Sequence, residues 1–139
     1  MSKFGLKKEY KLSEDSAMEQ LTPMLEYFDL DVNDIKDEKH MGAIESSLDQ
    51  ILRDIRLGKI ELKKDDKFCI VQHLENKSTI DYKIFGGMIK TAMAGKKKDD
   101  DMGRMYALLG AASGLGEMAI KSLSASDVKV AERLSLLFL

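Results

Sequence analysis

Residues 51–74, ILRDIRLGKIELKKDDKFCIVQHL, contain the point at which the hydrophobic pattern of the chain changes its period. Before Gly58 the apolar residues recur every three or four positions, which is typical of one face of a helix. After Gly58 they alternate with other residues in two short runs, 59–62 and 67–74, on either side of the polar KKDD segment at 63–66. The stretch therefore predicts a helix that ends at Gly58 and a β-hairpin that follows it.

The segments on either side extend this pattern. The helix before Gly58 has a long apolar face made of Met41, Ile44, Leu48, Ile51, Leu52 and Ile55. The segment STIDYKIF at 78–85 repeats the alternation and predicts a third strand. Because an isolated hairpin is only marginally stable in water, we expect the strands to pack against the helices.

A further helix is predicted near the N-terminus. Ser16 and Glu19 have the spacing of a capping box, and Pro23 would then fall in the first turns of the helix. Its apolar face consists of Leu21, Met24, Leu25 and Phe28. Residues 13–38 carry nine acidic residues against one lysine. We interpret them as a solvated helix face rather than as a surface for a basic partner.

The C-terminal part of the chain also has helical periodicity. A short helix is predicted around Met88–Met93, and a longer one is predicted to present Met102, Met105, Leu108, Leu109 and Ala112. Gly114 and Gly116 should break it. A short helix would then present Leu115, Met118, Ala119 and Leu123, and a final helix, capped by Ser124, would present Val128, Ala131, Leu134 and Phe138.

These elements predict an α+β fold that is mainly α-helical, with helices packed around a small antiparallel β-hairpin or three-stranded meander. At 139 residues, with 44% hydrophobic and 33% charged residues, the chain is typical of one globular domain. The predicted parts of that domain are a basic N-terminal segment at 1–12, helices at 13–58, strands at 59–85 and a helical half at 86–139.

Composition excludes several classes of protein. The single cysteine, Cys69, cannot form an internal disulfide, which fits a reducing cytoplasm, and we expect it to be a buried thiol. The N-terminus lacks the apolar region of a secretion signal. The longest uncharged run, Met105–Gly116, is shorter than the roughly 20 residues that a membrane helix needs. The sequence thus predicts a cytoplasmic protein without a membrane segment.

None of the candidate catalytic or metal-binding motifs has the residues or the spacing that its chemistry needs. The segment DLDVND at 29–34 resembles a calcium loop, but Asp34 stands where glycine is needed and His40 where a glutamate is needed. Neither His40 nor His73 has metal-site spacing, and we expect His73 to be a partly buried structural residue. The glycines at 110–116 lack the spacing of a phosphate loop. We therefore predict no enzyme activity, no cofactor and no metal site.

Nucleic-acid binding is also disfavoured. The formal net charge is −2, and the final helix carries only Lys129 and Arg133 as basic residues, beside Asp127 and Glu132. Two basic residues neutralise too few phosphates for stable binding. We predict no nucleic-acid partner.

The apolar content of the C-terminal half points to protein binding. The chain has nine methionines and no tryptophan, and methionine is common on surfaces that bind flexible apolar partners. The alternative is that these methionines fill an irregular core. The last residues form an uncharged apolar end. The predicted partner-binding residues are Leu136, Leu137, Phe138, Leu139, Met102 and Met105.

From about Asp49 onward, the chain contains the helix and hairpin entry ILRDIRLGKIEL and then the phrase from Ala107-Leu108 to Ser113-Gly114-Leu115. Leu123 and Asp127 follow this phrase, before a final helix. This order of features resembles the tail assembly chaperones of tailed bacteriophages and prophages, which have a leucine and an aspartate at the corresponding places.

This resemblance implies a non-catalytic protein that keeps the tape measure protein soluble while tail tube subunits assemble around it. It also implies, in many such systems, a programmed frameshift that extends a fraction of the copies, which would account for the apolar ending. We expect self-association as well. The alternatives are a structural component of a phage or prophage particle and a small DNA-binding regulator.

Overall fold

The computed structural model describes residues 9–27, 38–64, 68–83, 94 and 101–137. Within these ranges the chain forms five helices and a three-stranded antiparallel sheet, which confirms the predicted α+β, mainly helical fold class. The elements are α1 (Glu14–Tyr27), α2 (Glu38–Arg56), β1 (Ile60–Lys64), β2 (Phe68–His73), β3 (Thr79–Tyr82), α3 (Asp101–Ser113), α4 (Glu117–Lys121) and α5 (Ala125–Ser135).

The sheet is a meander in the order β1-β2-β3. Its register places Leu62, Ile70 and Tyr82 in one row across the three strands. The neighbouring row contains Ile60, Gln72 and Ile80. Because side chains alternate between the faces of a strand, both rows point into the same core, and Gln72 is the polar member among apolar neighbours.

The turn between α2 and β1 is the change of period that the sequence predicted. Gly58 has a φ of 78°, a left-handed conformation that glycine adopts without steric cost, and its amide donates to the carbonyl of Ile55 at 3.0 Å. Lys59 donates to the carbonyl of Asp54 at 2.9 Å. The predicted helix stop at Gly58 is confirmed.

Helices cover the edges of the sheet. The backbone amide of Leu62 in β1 donates to Oε1 of Gln20 in α1 at 3.0 Å. Beyond β3, the amide of Lys83 donates to the carbonyl of Ala112 near the end of α3 at 3.0 Å. Helix α2 packs against α1, β1 and α5, while α3 packs against β3, α4 and α5.

One hydrophobic core connects all the described helices and strands. The predicted face of α2 is confirmed by Ile51 and Ile55, which are fully buried, and that of α3 by Leu108 and Leu109. Cys69 is buried, as predicted. The acidic residues of α1, which are Glu14, Asp15, Glu19 and Glu26, are exposed, as predicted for a solvated face.

The predicted start of α1 was wrong. The helix begins at Glu14, and Oγ of Ser13 accepts a hydrogen bond from the amide of Ser16 at 3.1 Å. Both serines are good cap residues, and the helix uses the first one because it can then run for a further turn. Pro23 is consequently the tenth residue of α1, and it cannot donate to the carbonyl of Glu19.

The predicted faces of the last two helices also need correction. In α4 the fully buried residue is Ile120, whereas Leu115 and Met118 are exposed. In α5 the buried residues include Val130 rather than Val128, together with Ala131 and Leu134. The buried face of each helix is therefore rotated about the helix axis relative to the predicted face. A short amphipathic helix can pack in more than one rotation, and its tertiary contacts determine which one is adopted.

The prediction of a partly buried His73 was wrong. Its side chain is exposed, and Nε2 lies 2.9 Å from Oε2 of Glu61 on the neighbouring strand.

The predicted helix at 88–93 and the calcium-like segment at 29–34 lie outside the described residues. So do Phe28, Phe138 and Leu139, and the side chains of His40 and Met41.

Helices α3 and α4 meet at their backbones. A Cβ atom placed on Gly110 would lie 2.6 Å from the amide nitrogen of Glu117 and 2.6 Å from the carbonyl carbon of Gly116. The amide of Gly116 donates to the carbonyl of Gly110 at 3.2 Å. Gly114 and Gly116 have φ values of 73° and 87°, which makes the turn between the two helices possible.

Substitution of Gly110 by alanine should therefore destabilise the protein. Because the clashing atoms are backbone atoms, α3 and α4 must separate, and we expect the free energy of unfolding to fall by about 1–3 kcal/mol. Gly42 in α2 is the matched control, since nothing lies within 4 Å of its added Cβ. G42A should raise the free energy of unfolding by about 0.5–1 kcal/mol. Urea unfolding measures both; equal effects of G110A and G42A would contradict the close approach of the helices.

Candidate partner-binding surface

Helix α5 is attached to the sheet through the buried side chain of Gln72, which is 0% exposed. Its Nε2 donates to the backbone carbonyl of Asp127 at 2.7 Å. Its Oε1 accepts from the hydroxyl of Tyr82 at 2.7 Å. One amide thus joins β2, β3 and the first turn of α5, and both ends of the amide have a partner.

The start of α5 has a second attachment. Oγ of Ser124 accepts from the amide of Asp127 at 3.2 Å, which is the serine half of the predicted capping box. The carboxylate of Asp127 accepts from the amide of Glu75, with both oxygens at 3.3 Å. Asp127 therefore links the cap of α5 to the turn between β2 and β3.

This cluster changes the titration of Tyr82. Burial of the hydroxyl, and secondarily the negative charge of Asp127, raise the pKa of Tyr82 well above its ordinary value. Both causes disfavour the tyrosinate, so the hydroxyl keeps the proton that it donates to Gln72.

An ion pair fixes the other half of α5. Nε and Nη2 of Arg133 donate to the two carboxylate oxygens of Asp54 at 2.7 and 2.9 Å, and Asp54 is buried in α2. A two-pronged guanidinium–carboxylate contact fixes orientation as well as distance. Helix α5 is thus held to the sheet at its start and to α2 near its end.

Four large apolar side chains are exposed among the described residues 101–137. Leu115 is 56% exposed and Met118 is 71% exposed. They are three positions apart at the turn from α3 to α4, and we call them the Leu115–Met118 surface. Met102 on the first turn of α3 and Leu136 directly after α5 are the other two.

The structure places the predicted partner-binding residues in different environments. Met102 and Leu136 are exposed, whereas Met105 is 6% exposed and Leu137 is 3% exposed within the core. Side chains packed in the core have little surface to offer a partner, so the candidate surface does not include Met105 and Leu137.

Sequence reasoning missed Leu115 and Met118 as candidate partner-binding residues, because it assigned them to a buried helix face. The shortness of the helix indicated that only one side is buried, but it did not indicate which side. A five-residue helix between two breaks has room to bury one side only, and Ile120 occupies that side. Met118 and Leu115, which lie two and five positions before Ile120, are then left outside the core.

In the described part of the chain, no three or more histidine, cysteine or acidic side chains are grouped to hold a metal ion. The helices described here include none with the length and apolar character to cross a membrane. Comparisons of the chain with protein-family models, curated proteins and solved structures find no match.

Removal of the Arg133 guanidinium should be strongly destabilising. In R133M the buried carboxylate of Asp54 loses its ionic partner, and we expect a loss of about 2–4 kcal/mol in the free energy of unfolding. The control is K121A, which breaks an exposed contact of 3.9 Å to Glu117 and should cost less than about 0.5 kcal/mol. Similar losses in the two variants, measured by urea unfolding, would contradict a structural role for the buried pair.

Substitution of Tyr82 by phenylalanine tests the cluster around Gln72. At neutral pH, Y82F leaves Oε1 of Gln72 without its donor and should cost about 1–3 kcal/mol. Because the folded-state pKa of Tyr82 is raised, its stabilising contribution is complete below its unfolded pKa of about 10 and is lost above it. The difference between wild type and Y82F should therefore shrink as the pH rises from about 10 to 11. Parallel pH profiles of unfolding free energy would contradict this assignment.

Proposed function

We propose that the protein is a non-catalytic tail assembly chaperone of a bacteriophage or prophage. In this role it keeps the tape measure protein soluble in the host cytoplasm and helps to recruit tail tube subunits. The observation that carries the proposal is the Leu115–Met118 surface, an exposed apolar surface at the end of the phrase that resembles the family.

Different residues of that phrase anchor α3, form the turn after it and keep Leu115 exposed. Ala107 and Leu108 are buried and anchor α3 in the core. Oγ of Ser113 donates to the carbonyl of Gly110 and accepts from the amide of Leu115, each at 3.2 Å. Gly114 supplies the left-handed backbone between them. Leu115 is therefore held outside the core by a defined turn.

The chemistry of the surface suits a holding function. Leucine and methionine side chains are apolar, and methionine adapts its shape to irregular partners. A helix of the tape measure protein can lay an apolar stripe against such side chains without any cofactor. A partner that binds in this way is protected from aggregation by mass action.

The attachments of α5 to the sheet and to α2 also support the proposal. Because α5 is held at both ends by Gln72 and by the Asp54–Arg133 pair, it gives α3 and α4 a fixed base. A partner can then bind without first ordering the helices, which lowers the entropic cost of association. Self-association through the same surface would keep it covered until the partner is made.

The test is a purification of the full chain with an N-terminal tag from cells that produce tailed particles. We expect a long tape measure protein to copurify with the wild type. The double variant L115S/M118S should lose it, because both side chains are exposed and their replacement removes apolar contact area without opening the core. Mass spectrometry of the eluates is the measurement.

Met18 on α1 provides the matched control, since it is also exposed but lies on a different helix. M18S should retain the tape measure protein. Recovery that is equal for L115S/M118S and the wild type would overturn the assignment of the surface. Presence of the chain in finished particles would favour a structural component instead, and salt-sensitive retention on heparin would favour a DNA-binding regulator.

A further inference from the structure

The methionine side chains that the structure describes differ strongly in their exposure to solvent. Met118 is 71% exposed, Met102 is 53% exposed and Met18 is 39% exposed. Met24 and Met105 lie in the hydrophobic core, where they are 0% and 6% exposed. Among these five side chains, Met118 is therefore the one whose sulfur a dissolved oxidant reaches most easily.

Oxidation converts the apolar side chain of methionine into a polar one. Hydrogen peroxide transfers one oxygen atom to the thioether sulfur: the O–O bond breaks, an S–O bond forms and water leaves. The sulfur loses two electrons and the peroxide gains them. The new sulfoxide oxygen accepts hydrogen bonds from water, and those bonds are lost when it is buried against an apolar partner.

The backbone around Met118 is held by contacts that do not involve its sulfur. The carbonyl of Met118 accepts from the amide of Ser122 at 3.0 Å and from its Oγ at 2.7 Å. Ile120 anchors α4 in the core, and the backbone at the start of α4 lies directly against Gly110 of α3. Oxidation of Met118 can therefore change the surface while the fold is kept.

The other sulfur atom that a peroxide could attack in the described part of this region is protected. Cysteine oxidation needs an accessible thiol, and Cys69 is buried in the sheet. Leu115, the second member of the Leu115–Met118 surface, has no sulfur. Mild oxidation thus acts on one half of that surface, the half that is more exposed.

We propose that Met118 is a redox-sensitive modification site, at which a peroxide changes the Leu115–Met118 surface from apolar to polar. The inference rests on the proposed function, since it concerns regulation of the surface through which the tape measure protein binds. Oxidation of Met118 releases that partner. Reduction of the sulfoxide by a methionine sulfoxide reductase restores binding.

The first test measures the modification and needs no partner. The full-length chain is treated with hydrogen peroxide for increasing times, and peptide mapping by mass spectrometry follows each methionine. We expect Met118 to be oxidised first, and Met24 and Met105 to react at least about tenfold more slowly. The chain that carries one sulfoxide at Met118 should elute earlier from phenyl resin than the unmodified chain. Oxidation of Met118 no faster than that of Met105, or unchanged elution, would overturn the proposal.

The second test measures binding of the tape measure protein. Purified wild type, M118L and M102L are oxidised, freed of peroxide and incubated with extract of cells that produce tailed particles. For each chain, recovery of the tape measure protein is divided by recovery with the same chain before oxidation, which removes any effect of the substitution itself. The ratio should fall at least about tenfold for the wild type and M102L and stay near one for M118L, because leucine has no sulfur.

The outcomes separate this inference from the proposed function. An equal loss of binding in M118L and the wild type would count against Met118 as the site, and so would a loss that methionine sulfoxide reductase does not reverse. If the unoxidised wild type recovers no tape measure protein, the proposed function fails. The oxidation rate of Met118 and the elution from phenyl resin then still decide whether the surface responds to peroxide.

Discussion

A buried primary amide in the middle of an apolar sheet face is the constraint on which the rest of this structure depends. Gln72 occupies the row of the sheet between Ile60 and Ile80, where water cannot reach its side chain. An amide in that position is costly unless its donor and its acceptor both find partners. The hydroxyl of Tyr82 and the carbonyl of Asp127 meet that need, and they determine where the first turn of α5 must lie.

The position of the start of α5 determines how the remainder of the C-terminal half packs. The pair formed by Asp54 and Arg133 sets the direction of α5 across α2. Helix α3 then packs between α5 and β3, and the backbone contact at Gly110 fixes α4 on α3. The exposed position of Leu115 and Met118 is a product of this order of attachments. Their exposure does not arise from a loosely held segment.

Much of this architecture could be predicted from the sequence, because it rests on patterns of short range. The change of period at Gly58, the three strands and the break at Gly114 and Gly116 each follow from neighbouring residues. The start of α1 could not be predicted in the same way, since Ser13 and Ser16 are equally good caps.

The candidate surface was harder to predict than the fold. Met102 and Met105 lie on the same predicted stripe, but only Met105 reaches the core, because Met102 lies on the first turn of α3. The assignment of Leu115 and Met118 depended on which side of a five-residue helix is buried, and only tertiary packing determines that. The burial of Gln72 was not recognised either, although Gln72 shares the alternation of Ile70 and Leu74, because a polar residue in a strand ordinarily points to solvent.

The attachments of α5 also affect the order in which the chain can fold. The partners in the amide contact, Gln72 and Asp127, are 55 residues apart, and those in the ion pair, Asp54 and Arg133, are 79 residues apart. The meander and the contact between α3 and α4 are local by comparison, and local contacts form with a smaller loss of loop entropy. On a translating ribosome, the sheet can form while Gln72 still lacks one of its partners. The core is completed only after α5 has emerged, so the nascent chain exposes apolar surface until then.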